Sequence, residues 1–289
     1  MGETMTLTVD FIESRLEATV TSKSKIGGGD FAEAFRVTLN NDRQLFVKTH
    51  KNPPPGFFTT EAAGLHWLSQ SAVNIPEVVL VSDAPPVLVL EWIDVGGSSA
   101  ATERNLGAAL ASLHRQPFDS FGRPDLQTTG SLALPNSRHD NWPDFYSSCR
   151  LLPLAKIAFD RQVLDSGIIN GIERIAANLA TFAAADEVPA LLHGDLWAGN
   201  RLVDQLGNSW LIDPAAHGGH REFDIAMMHL FGGYSEECFD AYNDVYPLET
   251  DWQQRVPLHQ LAPLLVHAIK FGGHYVTAVE RVVDKFTSG

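Results

Sequence analysis

Leu191-Leu192-His193-Gly194-Asp195-Leu196-Trp197-Ala198-Gly199-Asn200, followed by Trp210-Leu211-Ile212-Asp213, holds the residues on which the fold turns. Apolar, strand-like runs precede both Asp195 and Asp213, so each acid sits where a short strand gives way to a loop. Asn200 lies five residues after Asp195, and Asp213 eighteen after it. Residues 201–204 and 209–213 read as a hairpin about the turn Gln205-Leu206-Gly207-Asn208, which brings Asp213 back towards Asn200. Oxygen donors so placed suit a hard cation such as Mg²⁺, which takes one or two protein groups and fills its shell with phosphate and water. Asn200 and Asp213 are the candidate metal ligands, and Asp195 remains to receive a proton. The plain alternative is that Asp195 and Asn200 form turns and Asp213 caps a strand. Agreement of spacing, strands and hairpin favours the site.

An Asp followed by four residues and an Asn is also the spacing of the protein-kinase catalytic loop, with a metal-binding Asp further on. Such a site needs a device for holding phosphates, and the residues upstream contain one. Residues 34–39 and 43–49 are β-rich and separated by Asn40-Asn41-Asp42, which predicts a hairpin. Gly27-Gly28-Gly29-Asp30 then joins two strands and suits a flap over phosphates more than a Walker loop; a mobile turn is the simpler alternative. Lys48 lies on the second hairpin strand, where it reaches the α/β-phosphates if it is not merely a solvated edge lysine. After Pro53-Pro54-Pro55-Gly56, the apolar residues Phe58, Ala62, Leu65 and Leu68 mark a short helix with Thr59 or Thr60 as N-cap. Glu61, in its first turn, is placed to pair with Lys48 or to serve as a surface acid favoured by the helix dipole. Residues 76–82 and 86–92 form a second strand pair about Asp83-Ala84-Pro85. At its end, main-chain groups of Glu91 and Ile93 are candidates for an adenine edge, while Trp92 serves either lobe packing or a base contact.

The texture changes at Asp94-Val95-Gly96-Gly97-Ser98-Ser99, which reads as a flexible linker. Beyond it, Leu106, Leu110 and Leu113 mark one helix, and Ile168, Ile172, Ile175, Leu179 and Phe182 another. Residues 117–145 lack a clear period and read as a long ordered loop or lid. The expected architecture is α+β and bilobal, protein-kinase-like. Residues 1–93 form a nucleotide-binding lobe, a small antiparallel sheet with one helix. Residues 94–289 form a larger, mostly helical lobe with the catalytic loop and substrate site.

Of the 289 residues, 44% are hydrophobic and 19% charged, which excludes a disordered or coiled-coil chain. Lys and Arg total 21 against 35 Asp and Glu, a formal charge of -14. That charge repels nucleic acid and anionic membranes at long range, so neither is expected as a partner, and it suits a cationic substrate. Cys149 and Cys238 are far apart and without ligand-spaced neighbours, which argues against a disulfide framework or an ordinary zinc site and fits a reducing cytoplasm. No basic start with an apolar run is visible at the N-terminus, and no apolar stretch approaches the ~20 residues of a membrane span.

The motifs His193-Gly194-Asp195-Leu196-Trp197-Ala198-Gly199-Asn200, Ile212-Asp213-Pro214-Ala215 and Gly219-His220-Arg221-Glu222-Phe223-Asp224-Ile225-Ala226-Met227 resemble those of the fructosamine kinase (ketosamine-3-kinase) family, within the aminoglycoside-phosphotransferase-like branch of the kinase fold. The resemblance covers nearly the whole chain. It implies ATP-dependent phosphorylation of the 3-hydroxyl of a ketosamine, after which the adduct falls apart and frees the amine. The alternative within the same chemistry is an aminoglycoside- or choline-type phosphotransferase. Carried onto this chain, the resemblance makes Asp195 the base, Asn200 and Asp213 the Mg²⁺ ligands, and Lys48 with Glu61 the phosphate grip. An ordinary carboxylate pKa would suffice for Asp195. Trp197 and the loop with His217, His220 and Arg221 would line the sugar site, although Arg221, Glu222 and Asp224 could equally form an ion-pair network anchoring that loop. Asp224 is expected to cap a helix and brace the catalytic loop, Trp142 to pack or to close over the sugar, and His114 to be structural. Ala32 replaces the usual third glycine of the flap. The Gly-rich loop has no cysteine, so no redox-linked dimer is expected and the chain is taken as a monomer. Ala216, His217 and Gly218 stand where many members carry aromatic residues.

Overall fold

The computed structural model describes residues 2–27, 32–182 and 184–288. Helix α1 (Gly2–Leu16) opens the chain. Strands β1 (Val20–Ile26), β2 (Glu33–Leu39) and β3 (Gln44–Thr49) follow, then helix α2 (Phe57–Leu68) and strands β4 (Val78–Asp83) and β5 (Pro86–Glu91). The five strands make one antiparallel sheet in the order β1-β2-β3-β5-β4. Side chains of a strand alternate between faces. Leu45, Val47, Val87 and Val89 accordingly pack with Ile12 of α1 on one face, while Leu88 and Leu90 pack with Phe58, Leu65 and Leu68 of α2 on the other. Helix α1 is absent from the sequence expectation, which allows one helix here. Its acids and apolar residues make no stripe strong enough to announce it, and only the sheet face supplies its partner.

Helix α2 also starts earlier than its pattern suggests. Gly56, at φ 71, turns into the helix as N-cap with no side-chain bond, so neither Thr59 nor Thr60 caps it. The left-handed conformation that glycine adopts freely turns the chain into the helix without a side-chain cap. Glu61 therefore lies in the second turn and is buried, not a surface acid at the helix start.

The remainder carries helices α3 (Ala100–His114), α4 (Trp142–Tyr146), α5 (Leu152–Asp160) and α6 (Ser166–Ala177), the short strands β6 (Ala190–Leu192), β7 (Arg201–Val203), β8 (Ser209–Leu211) and β9 (His217–Gly219), then α7 (Glu222–Phe231), α8 (Glu236–Val245), α9 (Trp252–Phe271) and α10 (His274–Thr287). The β7–β8 hairpin forms as the sequence predicts. Strand β6 instead pairs with β9, a partner that its Gly218-Gly219 content conceals. Helix α6 ends at Ala177, and Leu179 belongs to a separate 3-10 turn, so the apolar stripe outruns the helix.

Two segments are less free than their composition suggests. In the Gly/Ser stretch, the Gly96 amide donates to the Val203 carbonyl at 2.7 Å, and Val95 bridges to Asp204. A Cβ on Gly96 would lie 2.4 Å from the Asp204 carbonyl oxygen, so this is a fastened strap and not a flexible linker. Residues 117–145 are likewise tied, by Phe121 to His139, Gly122 to Gly218 and Pro117 to Ala190. Trp142 is buried against Tyr146, His220 and His259, which leaves it no part in closing over a sugar.

Candidate active site

The pleat of β3 turns Lys48 to the α2 face, and the central position of that strand keeps it from being an edge lysine. Its Nζ stands 3.0 Å from both Glu61 carboxylate oxygens and 3.0 Å from Oδ1 of Asp213. Strand β3, helix α2 and a loop 165 residues further along the chain thus meet on one ammonium. Burial opposes the charge of Lys48, but Glu61 and Asp213 outweigh it and hold its pKa above the ordinary lysine value. Asp213 adopts φ 54, a left-handed conformation that Asp tolerates better than most residues, and its side chain remains 37% exposed.

His193 joins the two acid-bearing segments. Its Nε2 lies 3.0 Å from the Ile212 carbonyl, and the Asp195 amide donates to its Nδ1 at 3.3 Å. That pattern assigns the neutral Nε2–H tautomer, in keeping with a pKa lowered by burial. Gly194 has φ 78, and a Cβ there would lie 2.3 Å from the Ala215 carbonyl oxygen, so the loop requires glycine at that point. Asp224 braces the same loop: its carboxylate accepts from the amides of His193 at 2.7 Å and Gly194 at 2.9 Å. It does not cap α7. Burial would raise its pKa, but His114, His193 and the Gly194 amide hold it below the ordinary value. His114 ends α3 buried between Asp224 and the Tyr242 hydroxyl, a structural place.

The Asn200 side chain donates through Nδ2 to Asp195 twice, to the backbone carbonyl at 2.8 Å and to Oδ2 at 2.9 Å. Asn200 and Asp195 are therefore one unit. The Asp195 pKa is not ordinary: burial, joined by the Asp213 charge, pushes it up to about 6 against the Asn200 bond. Trp197 leaves its ring 40% exposed and covers Gly199 so closely that a Cβ there would sit 2.2 Å from the indole.

The other expected site residues fall differently. Gly27 lies between β1 and β2, while Gly28 and Gly29 lie outside the described residues. Glu91 ends β5 and spends its amide on the Glu77 carbonyl at 3.0 Å; Ile93 follows, half-buried. The Trp92 indole donates to Asp94 and lies under the Arg36 guanidinium. His220 and Arg221 are buried with their polar atoms bonded to protein groups, which argues against direct contact with a sugar, while His217 is buried with its Nδ1 so engaged. His217 Nδ1 meets the Ala215 carbonyl at 2.8 Å, and His220 Nε2 the Ala184 carbonyl at 2.9 Å. Arg221 grips Glu187 and donates to the carbonyls of Tyr246 and Pro247. Glu222 binds Arg255 with both oxygens. Of the two readings of this loop, the anchoring network is the one formed.

Arg123 is the residue that the sequence pattern conceals. Fully buried, it donates to the Ala216 carbonyl at 2.6 Å, to the Thr60 carbonyl at 3.3 Å and to both oxygens of Asp125, with its guanidinium over Trp67. It thereby clamps α2, next to Glu61, onto the segment that follows Asp213. Its only sequence signal is an arginine in a loop. Arg123→Met is expected to destabilise the protein by about 3 kcal/mol, because two buried carbonyls lose their donor. Asp125 is partly exposed and adds little. Urea denaturation measures this, and a loss below about 1 kcal/mol would remove the clamp.

The fold belongs to a known class. Choline kinase LicA of Streptococcus pneumoniae has the same fold, with a TM-score of 0.64 at 15% identity over 99% of each chain. The class is that of aminoglycoside-phosphotransferase and choline-kinase-like folds. The model of the fructosamine kinase family matches residues 5–288, and the chain belongs to that family. A probable ketoamine kinase of Enterococcus faecium is 35% identical over 262 residues, 90% of this chain and 93% of that protein. A crystal structure assigned to a fructosamine-3-kinase of Thermobifida fusca has a TM-score of 0.89 at 36% identity, covering 97% of this chain and 98% of that one. No helix among the described residues is long and apolar enough to cross a membrane.

Proposed function

We propose that the chain is an ATP- and Mg²⁺-dependent kinase that phosphorylates the 3-hydroxyl of ketosamines, fructosamine or ribulosamine, free or protein-bound, and so releases the sugar from glycated amines. The observation that carries this reading is the meeting of Lys48 with Glu61 and Asp213, beside the Asp195–Asn200 unit. Residues 1–93 hold the nucleotide in this reading, and residues 94–289 supply the catalytic loop.

Glu61 aims the Lys48 ammonium at the phosphates, and Gly27, Gly28 and Gly29 cover them. Main-chain groups of Glu91 and Ile93 face the adenine. The donor set at Asn200 and Asp213 is an amide and a carboxylate, both oxygen ligands, which fits Mg²⁺ and not a soft metal. When bound, that ion neutralises charge on the transferring phosphoryl group. Asp195 orients the acceptor hydroxyl and takes its proton, held in place through Asn200. Trp197 covers the sugar. His217 lines the sugar site with Trp197, while His220 and Arg221 act at one remove, by fixing the loop on which the site is built.

An ADP-release screen over fructosamines, ribulosamines, aminoglycosides and choline tests the proposal. Turnover is expected on the first two. Turnover confined to aminoglycosides or choline would move the chain to another acceptor, and turnover on none would end the kinase assignment.

A further inference from the structure

Trp197 is one end of an aromatic surface. Its ring meets Phe231, at the end of α7, edge-on at 5.9 Å. Phe231 lies 5.0 Å from the His267 ring, which is 5.6 Å from Phe271 and 4.9 Å from Tyr275 across the turn between α9 and α10. Packing alone does not account for this strip. Trp197 is 40% exposed, Phe231 37% and Phe271 54%, and these are three of the four exposed Phe or Trp side chains among the described residues. Exposed aromatics gathered in one place mark a contact surface.

The strip starts at Trp197, two residues after Asp195, with the indole lying over Gly199 between Asp195 and Asn200. Ketosamine chemistry then constrains what can lie there. The amine nitrogen is joined to C1, so it sits no more than about 5 Å from the 3-oxygen by ordinary bond lengths. With that oxygen on Asp195, and with Lys48 and Asp213 given to the phosphate, Trp197 on the same loop is the aromatic side chain nearest in the chain to the amine and its substituent. A secondary ammonium is attracted by aromatic faces, and a flat or apolar substituent stacks on them. The charge of Lys270 beside Phe271 disfavours a substituent carrying a second positive charge.

We propose that Trp197, Phe231, Phe271 and Tyr275 form the subsite for the amine substituent and select ketoamines built on aryl-bearing amines. The proposal rests on the ketosamine reading above. Kinetics on fructosyl-2-phenylethylamine and fructosyl-glycine test it. The aryl substrate is expected to have a kcat/KM about tenfold higher, and Phe271→Ala to lower that ratio about fivefold, mostly through KM. Phe271→Leu, which keeps apolar bulk without the ring, is expected to lower it by about half as much and guards against a folding defect in the first variant. Equal turnover of the two substrates, or a ratio unmoved in both variants, would overturn the subsite and leave the ketosamine kinase standing. Turnover of neither would overturn both.

Discussion

Asp195→Asn is expected to cut ketoamine-dependent ADP formation by about a thousandfold while nucleotide binding persists. Asparagine keeps the shape of the side chain and an oxygen that can still accept from Asn200 Nδ2, so the 2.9 Å bond need not be lost. The main chain around the position is held independently, by the Asp195 amide on His193 and by Asp224 on the two preceding amides. What disappears is the ability to take a proton from the acceptor. Stopped-flow or coupled-assay kcat, beside a nucleotide affinity from calorimetry, separates these effects. A variant turning over within tenfold of the parent would show that Asp195 is not the proton acceptor.

Asp213→Asn tests the other acid, and its expected effect is nearly as large. Asparagine tolerates the left-handed φ of 54 that alanine would strain against, so the substitution isolates charge from backbone. Lys48 keeps Glu61 at 3.0 Å and should remain in place. A metal that offsets several kcal/mol of transition-state charge becomes much weaker when its carboxylate is removed. At 1.36 kcal/mol per tenfold, about a hundredfold to a thousandfold of turnover is at stake. The Mg²⁺ dependence of both nucleotide affinity and kcat is expected to shift to much higher concentration. A metal titration that superimposes on that of the parent would take the ligand role from Asp213.

The layout of the candidate site was legible in the sequence where it depends on short-range order. Asp195 and Asn200 share one loop, and a single hairpin returns Asp213, so spacing alone brings them near each other. Lys48 could be placed because it lies on the second strand of a short hairpin, where a kinase carries its phosphate-binding lysine. What stayed hidden depends on partners distant in the chain. His193 and Gly194 rest on Asp224, thirty or so residues away, and Arg221 on Glu187, thirty-four away. The family resemblance offered His220 and Arg221 as candidates for substrate, but their partners, which only folding reveals, bury them. Arg123 and helix α1 escaped for the same reason: each is defined by what it packs against. Residues 94–99 misled in the opposite direction, since glycine and serine suggest slack where close approach to another strand demands a small residue.

The core beneath α2 bears on any attempt to handle the chain in pieces. Phe58, Leu65 and Leu88, from before residue 93, share one apolar cluster with Leu106, Leu110, Leu211 and Ile225 from after it. Cutting at the apparent boundary would bare matching oily surfaces on both products. Each fragment expressed alone should be sticky and poorly folded, and co-expression, letting the two halves meet during synthesis, is the way to recover a working assembly from a split gene.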